Sequence, residues 1–329
     1  MSADTRLREL LSEMAPPPEI AEDQVVAARA ALHAAYRDGA PPQPSRRWQP
    51  SFAWATAAVA AVVVAAALLL PGASPPVDAS LAQIARATRD LEPEQLPAGA
   101  FVYSQEASTS LASSQVEGGP QLFYLLPETL DQWVQGATEQ RDTTVGRPTF
   151  FNSAHETAYY AGGLDLEDGV GQTRTDRHGD VSHLPDITKW SDDPATLRDQ
   201  LAAELADDVD PVLDEDVRLI LLVEELLDPS LNAPPLLRAA LIEVVGSRGF
   251  DTTDMPDGSV LVSVAYEDPG LGSLVQELEF DEAGFLRASR LIAIEPGPDL
   301  PVPADTAIAQ STWSRPYIVD GPGVLPADR

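Results

Sequence analysis

Residues 259–294 read SVLVSVAYEDPGLGSLVQELEFDEAGFLRASRLIAI, and this stretch decides the fold class. Residues 259–266 alternate, placing Val260, Val262, Val264 and Tyr266 on one side, as a half-buried strand requires. Residues 274–280 and 285–294 repeat that period around Asp281-Glu282-Ala283-Gly284, a four-residue turn ending in Gly. Two strands joined this way form an antiparallel hairpin.

The same period appears upstream. Strands are expected at 100–108, 121–126, 130–135, 149–152 and 155–160, with a further one at 173–175. Between these and the hairpin the period changes to that of helices, at 194–205, 215–227 and 235–247. An earlier helix starts at Ser80 as its cap and turns Leu81, Ile84 and Ala85 inward. A last strand is expected over 307–319, with Trp313 and Tyr317 as packing residues. The order helix, strands, helices, strands predicts an α+β domain over 80–329: a curved antiparallel sheet with helices on one face. The chain contains no cysteine, so this domain stands on its core alone, without disulfides, thiol catalysis or Cys-ligated zinc.

Upstream of the domain the chemistry differs. Residues 52–70, FAWATAAVAAVVVAAALLL, carry no charge. As a helix they reach about 28 Å, close to the ~30 Å hydrocarbon core of a bilayer. Arg46, Arg47 and Trp48 precede the run and Trp54 sits in its first turn, the placement of interfacial anchors. A cleaved signal peptide would have a shorter apolar region and a shorter leader without helical patterning. We therefore expect a single transmembrane helix at 52–70, with a Pro-rich juxtamembrane linker at 40–51 and a second linker at 71–79. Arg37, Arg46 and Arg47 place the N-terminus in the cytoplasm, and the domain outside, of a cell-membrane protein.

Charge divides along the same boundary. Residues 1–50 hold six Arg and seven acids, so that residues 71–329 carry −30 of the chain's −31. Such a surface argues against nucleic acid and anionic headgroups as partners of the outer domain. The cytoplasmic arm, 1–39, is nearly neutral. Leu7, Leu10, Leu11 and Met14 make one apolar stripe before Pro16-Pro17-Pro18, and Ile20, Val25, Ala28, Leu32 and Tyr36 fall near one face of a second helical pattern. Two short amphipathic helices cannot bury a core by themselves. Leu7, Leu10, Leu11, Met14, Val25, Leu32 and Tyr36 are the candidate partner-binding residues.

Signals for chemistry are sparse. His178 and His183, with Asp176, Asp180 and Asp186, form a polar loop whose spacing matches no established metal pattern. The run Asp207, Asp208, Asp210, Asp214, Glu215, Asp216 departs from a calcium loop at Pro211 and Val212. It reads instead as a helix cap by Asp214, with Glu215 and Asp216 at the positive end of the helix. His155 and Glu156 are adjacent and point to opposite sides if they lie in a strand. There is no phosphate-binding loop, nucleophile elbow or zinc-protease motif. No metal, cofactor or enzymatic activity is expected.

The layout resembles a family. The arm LRELLSEMAPPPEI…VVAARAALHAAYRDG, the span, and the outer segments LPDITKWSDDPATLRDQLAAEL, LLVEELLDPSLNAPPLLRAALIEVVGSRGF and LVQELEFDEAGFLRASRLIAI are similar to actinobacterial single-pass proteins of the anti-sigma-factor type. Their outer domains resemble the open half-barrels of periplasmic lipoprotein carriers and sensor regulators. The resemblance implies an arm that binds a sigma factor and an outer domain that senses an envelope signal or binds an apolar ligand. Zinc-type anti-sigma domains carry His-x3-Cys-x2-Cys; this chain has His33 but no Cys, so its arm would bind without zinc. The alternative is a membrane-anchored carrier or scaffold in which the half-barrel holds a lipid or envelope polymer and the arm is only a tether.

Overall fold

A computed structural model describes residues 77–326, except 116–118, 120, 137, 179–183, 208–212 and 299. The expected arm, juxtamembrane linker and span therefore lie outside the described residues, as does the second linker up to residue 76; its last residue, Ala79, already belongs to the first helix. Among the described residues no helix is long and apolar enough to cross a membrane.

The described region is α+β. It opens with helix α1, Ala79–Arg89, followed by β1 (Phe101–Gln115), β2 (Gln121–Gln135), β3 (Thr138–Val145) and β4 (Thr149–Phe150). Two helices, α2 (Ser153–Gly162) and α3 (Leu164–Glu167), precede β5 (Thr173–His178). Helices α4 (Pro194–Asp207), α5 (Glu215–Leu226) and α6 (Pro235–Gly246) follow, with 3-10 turns at Ile187–Lys189 and Pro229–Leu231. The chain ends in β6 (Asp251–Asp254), β7 (Val260–Asp268), β8 (Gly272–Phe280), β9 (Leu286–Pro296), β10 (Thr306–Trp313) and β11 (Tyr317–Val319). One eleven-stranded antiparallel sheet takes them in the order β5-β3-β2-β1-β10-β9-β8-β7-β6, with β4 on β2 and β11 on β1.

The hairpin reading is met. Val260, Val262 and Val264 are buried, and β8 and β9 pair around the 281–284 turn. The Asp281 carboxylate accepts from the backbone N–H of Ala283 (2.9 Å) and Phe285 (3.0 Å), and Gly284 supplies the positive φ of 72°. Leu278, Phe280 and Leu286 join the three valines in one core with α1, α4, α5 and α6. Helix α6 is apolar nearly all round and is buried accordingly. Leu81, Ile84 and Ala85 of α1 complete that core, as the sequence predicts.

Several elements differ from expectation, each for a local reason. The cap of α1 is Asp78, not Ser80; its carboxylate accepts from the N–H of Ser80 (2.9 Å) and Leu81 (3.2 Å), which leaves Ser80 inside the first turn. The strands expected at 121–126 and 130–135 are one strand that runs through Pro127. The Pro127 carbonyl accepts from Gly146 (2.7 Å) just beyond the end of β3, so the missing N–H falls where β2 passes from β3 to β4 and one ladder bond is lost. Residues 155–160 are helical, not a strand. Asn152 caps α2 by accepting from His155 N–H (2.8 Å), and Gly163 ends it at φ 73°. The strand at 173–175 extends to His178.

The final strand breaks in two around Ser314-Arg315-Pro316. Trp313 pairs with Glu106 and Tyr317 with Tyr103, which leaves three residues opposite two and makes a bulge at a proline that cannot donate. Strands β3 (TEQRDTTV) and β6 (DTTD) were not anticipated, because neither carries an apolar alternation.

The 281–284 turn docks on the helices: a Cβ on Gly284 would run into Thr88 of α1 and lie 2.9 Å from Ile242 Cδ1 of α6. Gly284→Ala is therefore expected to destabilise the protein by about 1–3 kcal/mol. Gly321→Ala, in open space, should stay within about 0.5 kcal/mol. Thermal unfolding of the two variants against the parent checks both.

Candidate functional site: a carboxylate seam under α5

Direct cross-strand partners share a sheet face. Register therefore defines one row across six strands: Glu128 of β2, Ser108 of β1, Ser311 of β10, Ser289 of β9, Leu278 of β8 and Val262 of β7. The row is apolar where α5 and α6 cover it and turns polar toward β1. In the neighbouring row Glu106 lies directly between Trp313 and Leu130.

Helix α5 brings a second carboxylate to this boundary. Val217, Ile220, Glu224 and Leu227 fall at i, i+3, i+7 and i+10, so Glu224 occupies a place on the buried stripe of the helix. Gln276 Nε2 of β8 donates to Ser289 Oγ (2.8 Å) and to Glu224 Oε2 (3.3 Å). Ser311 Oγ donates to Glu106 Oε1 (2.6 Å). Past the end of α5, Asp228 accepts from the Ser230 N–H (2.8 Å) at the start of the Pro229–Leu231 turn. Ser230 is 2% exposed and its enclosed Oγ has no partner, while the enclosed indole of Trp313 stands directly opposite Glu106.

The electrostatics are one-sided. Among the described residues no Arg, Lys or His forms an ion pair with Glu106, Glu128, Glu224 or Asp228. The nearby arginines are engaged elsewhere: Arg290 with Glu277 (3.0 Å), Arg315 with Asp281 (2.8 Å), Arg287 with Asp257. Desolvation pushes the Glu106 and Glu224 carboxyls above the ordinary glutamate value. Hydrogen bonding from Ser311 and Trp313 at Glu106, and from Ser289 at Glu224, offsets this in part, while Asp228 adds to it at both, Glu128 at Glu106 and Glu106 at Glu224. Such a group can hold or release a proton. Neither Ser311 nor Ser289 bonds a histidine, so the seam has no nucleophile–base pair. Among the described residues no three His, Asp or Glu side chains are placed to hold a metal ion.

A second polar cluster lies further along β2, beside β4 and α2. Tyr124 of β2 and Tyr159 of α2 both donate to Asp168 Oδ2, each at 2.7 Å, and their rings pack edge-on with centroids 4.9 Å apart. Burial, then the Asp168 carboxylate, raises both phenols, Tyr124 up to about 12. This cluster pins α2 and α3 to the sheet.

The residues singled out in the sequence fall apart from the seam. Leu7, Leu10, Leu11, Met14, Val25, Leu32, Tyr36, Arg46, Arg47, Trp48 and Trp54 lie outside the described residues, as do Asp180, His183, Asp208 and Asp210. Asp176 pairs with Arg174 (2.9 Å). Asp186 accepts from the Thr188 hydroxyl and N–H, which hold its carboxyl below the usual range. Asp214 caps α5 as expected, through the Asp216 N–H (2.9 Å), while Glu215 and Asp216 both bind Arg248. His155 and Glu156 stand in the first turn of α2, so the strand geometry expected for them does not apply. Glu106, Glu224 and Asp228 were not singled out. The readable signal was Glu224, an acid on the apolar stripe of LLVEELL.

No family model matches the chain, and no curated protein or solved structure matches it.

Tyr159→Phe removes one hydrogen bond to a carboxylate and keeps the ring packing. It is expected to cost about 1.5–3 kcal/mol, measured by denaturant unfolding.

Proposed function

We propose that the chain is a single-pass membrane regulator of the anti-sigma-factor type: a cytoplasmic arm that holds a sigma factor, a span at 52–70, and an outer sensory domain. The observation that carries this reading is the joining of two unlike chemistries. A nearly neutral arm whose sequence carries an apolar stripe is linked by nineteen uncharged residues to a body of charge −30. The stripe at Leu7, Leu10, Leu11 and Met14 needs a second surface to bury it, and the groove of another protein provides one. The stretch 52–70, flanked by Arg46, Arg47 and Trp48, supports the span.

We read the outer sheet as an open half-barrel. In support, β9 carries register shifts against β8 near Ser273/Leu274 and Glu279/Phe280, and β10 against β9 near Ala307/Ala309; such bulges bend and coil a sheet. The carrier alternative needs an apolar hollow on the covered face. Against it, Leu278, Phe280, Val262 and Val264 pack directly on the chain's own α5 and α6.

Affinity purification of the full-length chain from solubilised membranes tests the regulatory reading. A sigma factor is expected to be retained. Replacing Leu10 and Leu11 by Asp should cut retention roughly tenfold or more, in line with about 1.5–3 kcal/mol per leucine no longer buried, with membrane fractionation unchanged. Equal recovery of cytoplasmic proteins by both chains would contradict it.

A further inference from the structure

We propose that the seam between α5 and β1 is a proton-operated clasp: acidification outside the membrane tightens α5 and the Pro229–Leu231 turn onto the sheet, and neutral pH loosens them. The sensory reading gives this a use, and the clasp names the proton as the signal. The clasp itself is a property of the domain.

Two elements meet at the seam, and both bring acid. The sheet contributes Glu106 from β1 and Glu128 from β2; the cover contributes Glu224 from α5 and Asp228 from the connection behind it. Of the other strands, β8, β9 and β10 offer uncharged groups, namely Gln276, Ser289, Ser311 and Trp313, and β3 turns Glu139 and Arg141, ion-paired with one another, to the same face. With all four carboxylates ionised, sheet and cover repel one another across a poorly solvated gap. A proton taken up there removes charge from one side. It also turns an acceptor-only group into a donor.

The second observation is independent of the acids. The turn that carries Ser230 packs against β1 and β2, the strands of Glu106 and Glu128, yet the enclosed Ser230 Oγ has no partner. An unbonded buried hydroxyl normally costs stability. Here it stands at a seam whose hydrogen-bonding capacity changes with protonation.

The sign follows from linkage. Glu106 and Glu224 are raised in the folded protein, so the stability they contribute is full below the ordinary glutamate range of about 4.3 and is lost as pH rises through their raised values. Groups held low act in the opposite sense only in stronger acid. Asp257, for example, is held at about 2 by the Ser259 hydroxyl and by Arg287. Falling pH therefore acts on the seam in the stabilising sense.

Hydrogen–deuterium exchange of the full-length chain in detergent micelles, corrected for the intrinsic effect of pH, tests the clasp. Peptides spanning 215–231 should gain protection by roughly threefold or more as pH falls from 7.5 to about 4.3. Glu106→Gln and Glu224→Gln should be more protected at pH 7.5 and lose most of the response. Glu225→Gln, on the exposed side of α5, should respond as the parent does. Unchanged exchange of peptides from 260–280 confirms that each variant is folded. A flat response in the parent, or the parent's full response in Glu106→Gln and Glu224→Gln, would overturn the clasp. The exchange reads the seam with no cytoplasmic partner present, so its outcome is independent of whether the arm retains a sigma factor.

Discussion

The pairing of β1 with β10 is the contact on which the rest of the domain depends. Each flanking block is locally paired: β1 with β2 and β3 on one side, and the β6-to-β10 meander on the other. Only the register from Glu106↔Trp313 to Ser110↔Ala309 makes them one sheet, over contacts such as Ser311 to Glu106 that lie 205 residues apart in sequence. Closing so long a loop costs entropy, but that cost grows slowly with length. The intervening chain is also not slack, because α4, α5 and α6 are already collapsed onto β7, β8 and β9 in one core.

The same pairing creates the chemistry. The row from Val262 through Leu278 is covered by helices and apolar; continued through Ser289, Ser311 and Ser108 to Glu128, it becomes polar. Helix α5 overhangs the change, and Glu224 on its buried stripe meets Gln276 and Ser289 instead of another leucine. A carboxylate there is a cost to folding at neutral pH, as burying charge without a counter-ion must be. That cost is the physical basis for reading the seam as responsive to its surroundings rather than as packing alone.

Much of this fold could be read from residues. The alternation at 259–266, the turn at 281–284 and the stripes of α1 and α5 came through because half-buried elements write their period into the sequence. The α2 helix did not, since SAHETAYYAG also alternates and only the Asn152 cap and Gly163 stop give it away. Strand β3 was hidden because TEQRDTTV is polar throughout, and β2 looked like two strands because Pro127 breaks a pattern without breaking the strand. The seam itself was mostly illegible. Glu224 was anomalous on its stripe, but nothing local pairs Glu106 with Trp313 or sets Ser108 beside Ser311, because long-range register is not a property of either strand alone.

Ser314 N–H donates to the Gln105 carbonyl (2.9 Å), so in this ladder Ser108 and Ser311 form a non-hydrogen-bonded pair, the type whose Cα atoms come within about 4.5 Å. That distance falls within the range a disulfide spans. The chain has no cysteine of its own, so a double substitution Ser108→Cys, Ser311→Cys in the full-length protein reads the register directly by thiol titration and peptide mapping. The account predicts that both thiols disappear under mild oxidation while the melting temperature is kept or raised, and that Thr109→Cys with Ser311→Cys, on opposite faces, stays reduced. A folded Ser108→Cys, Ser311→Cys protein that keeps both thiols free, or an offset pair that bridges instead, would contradict it.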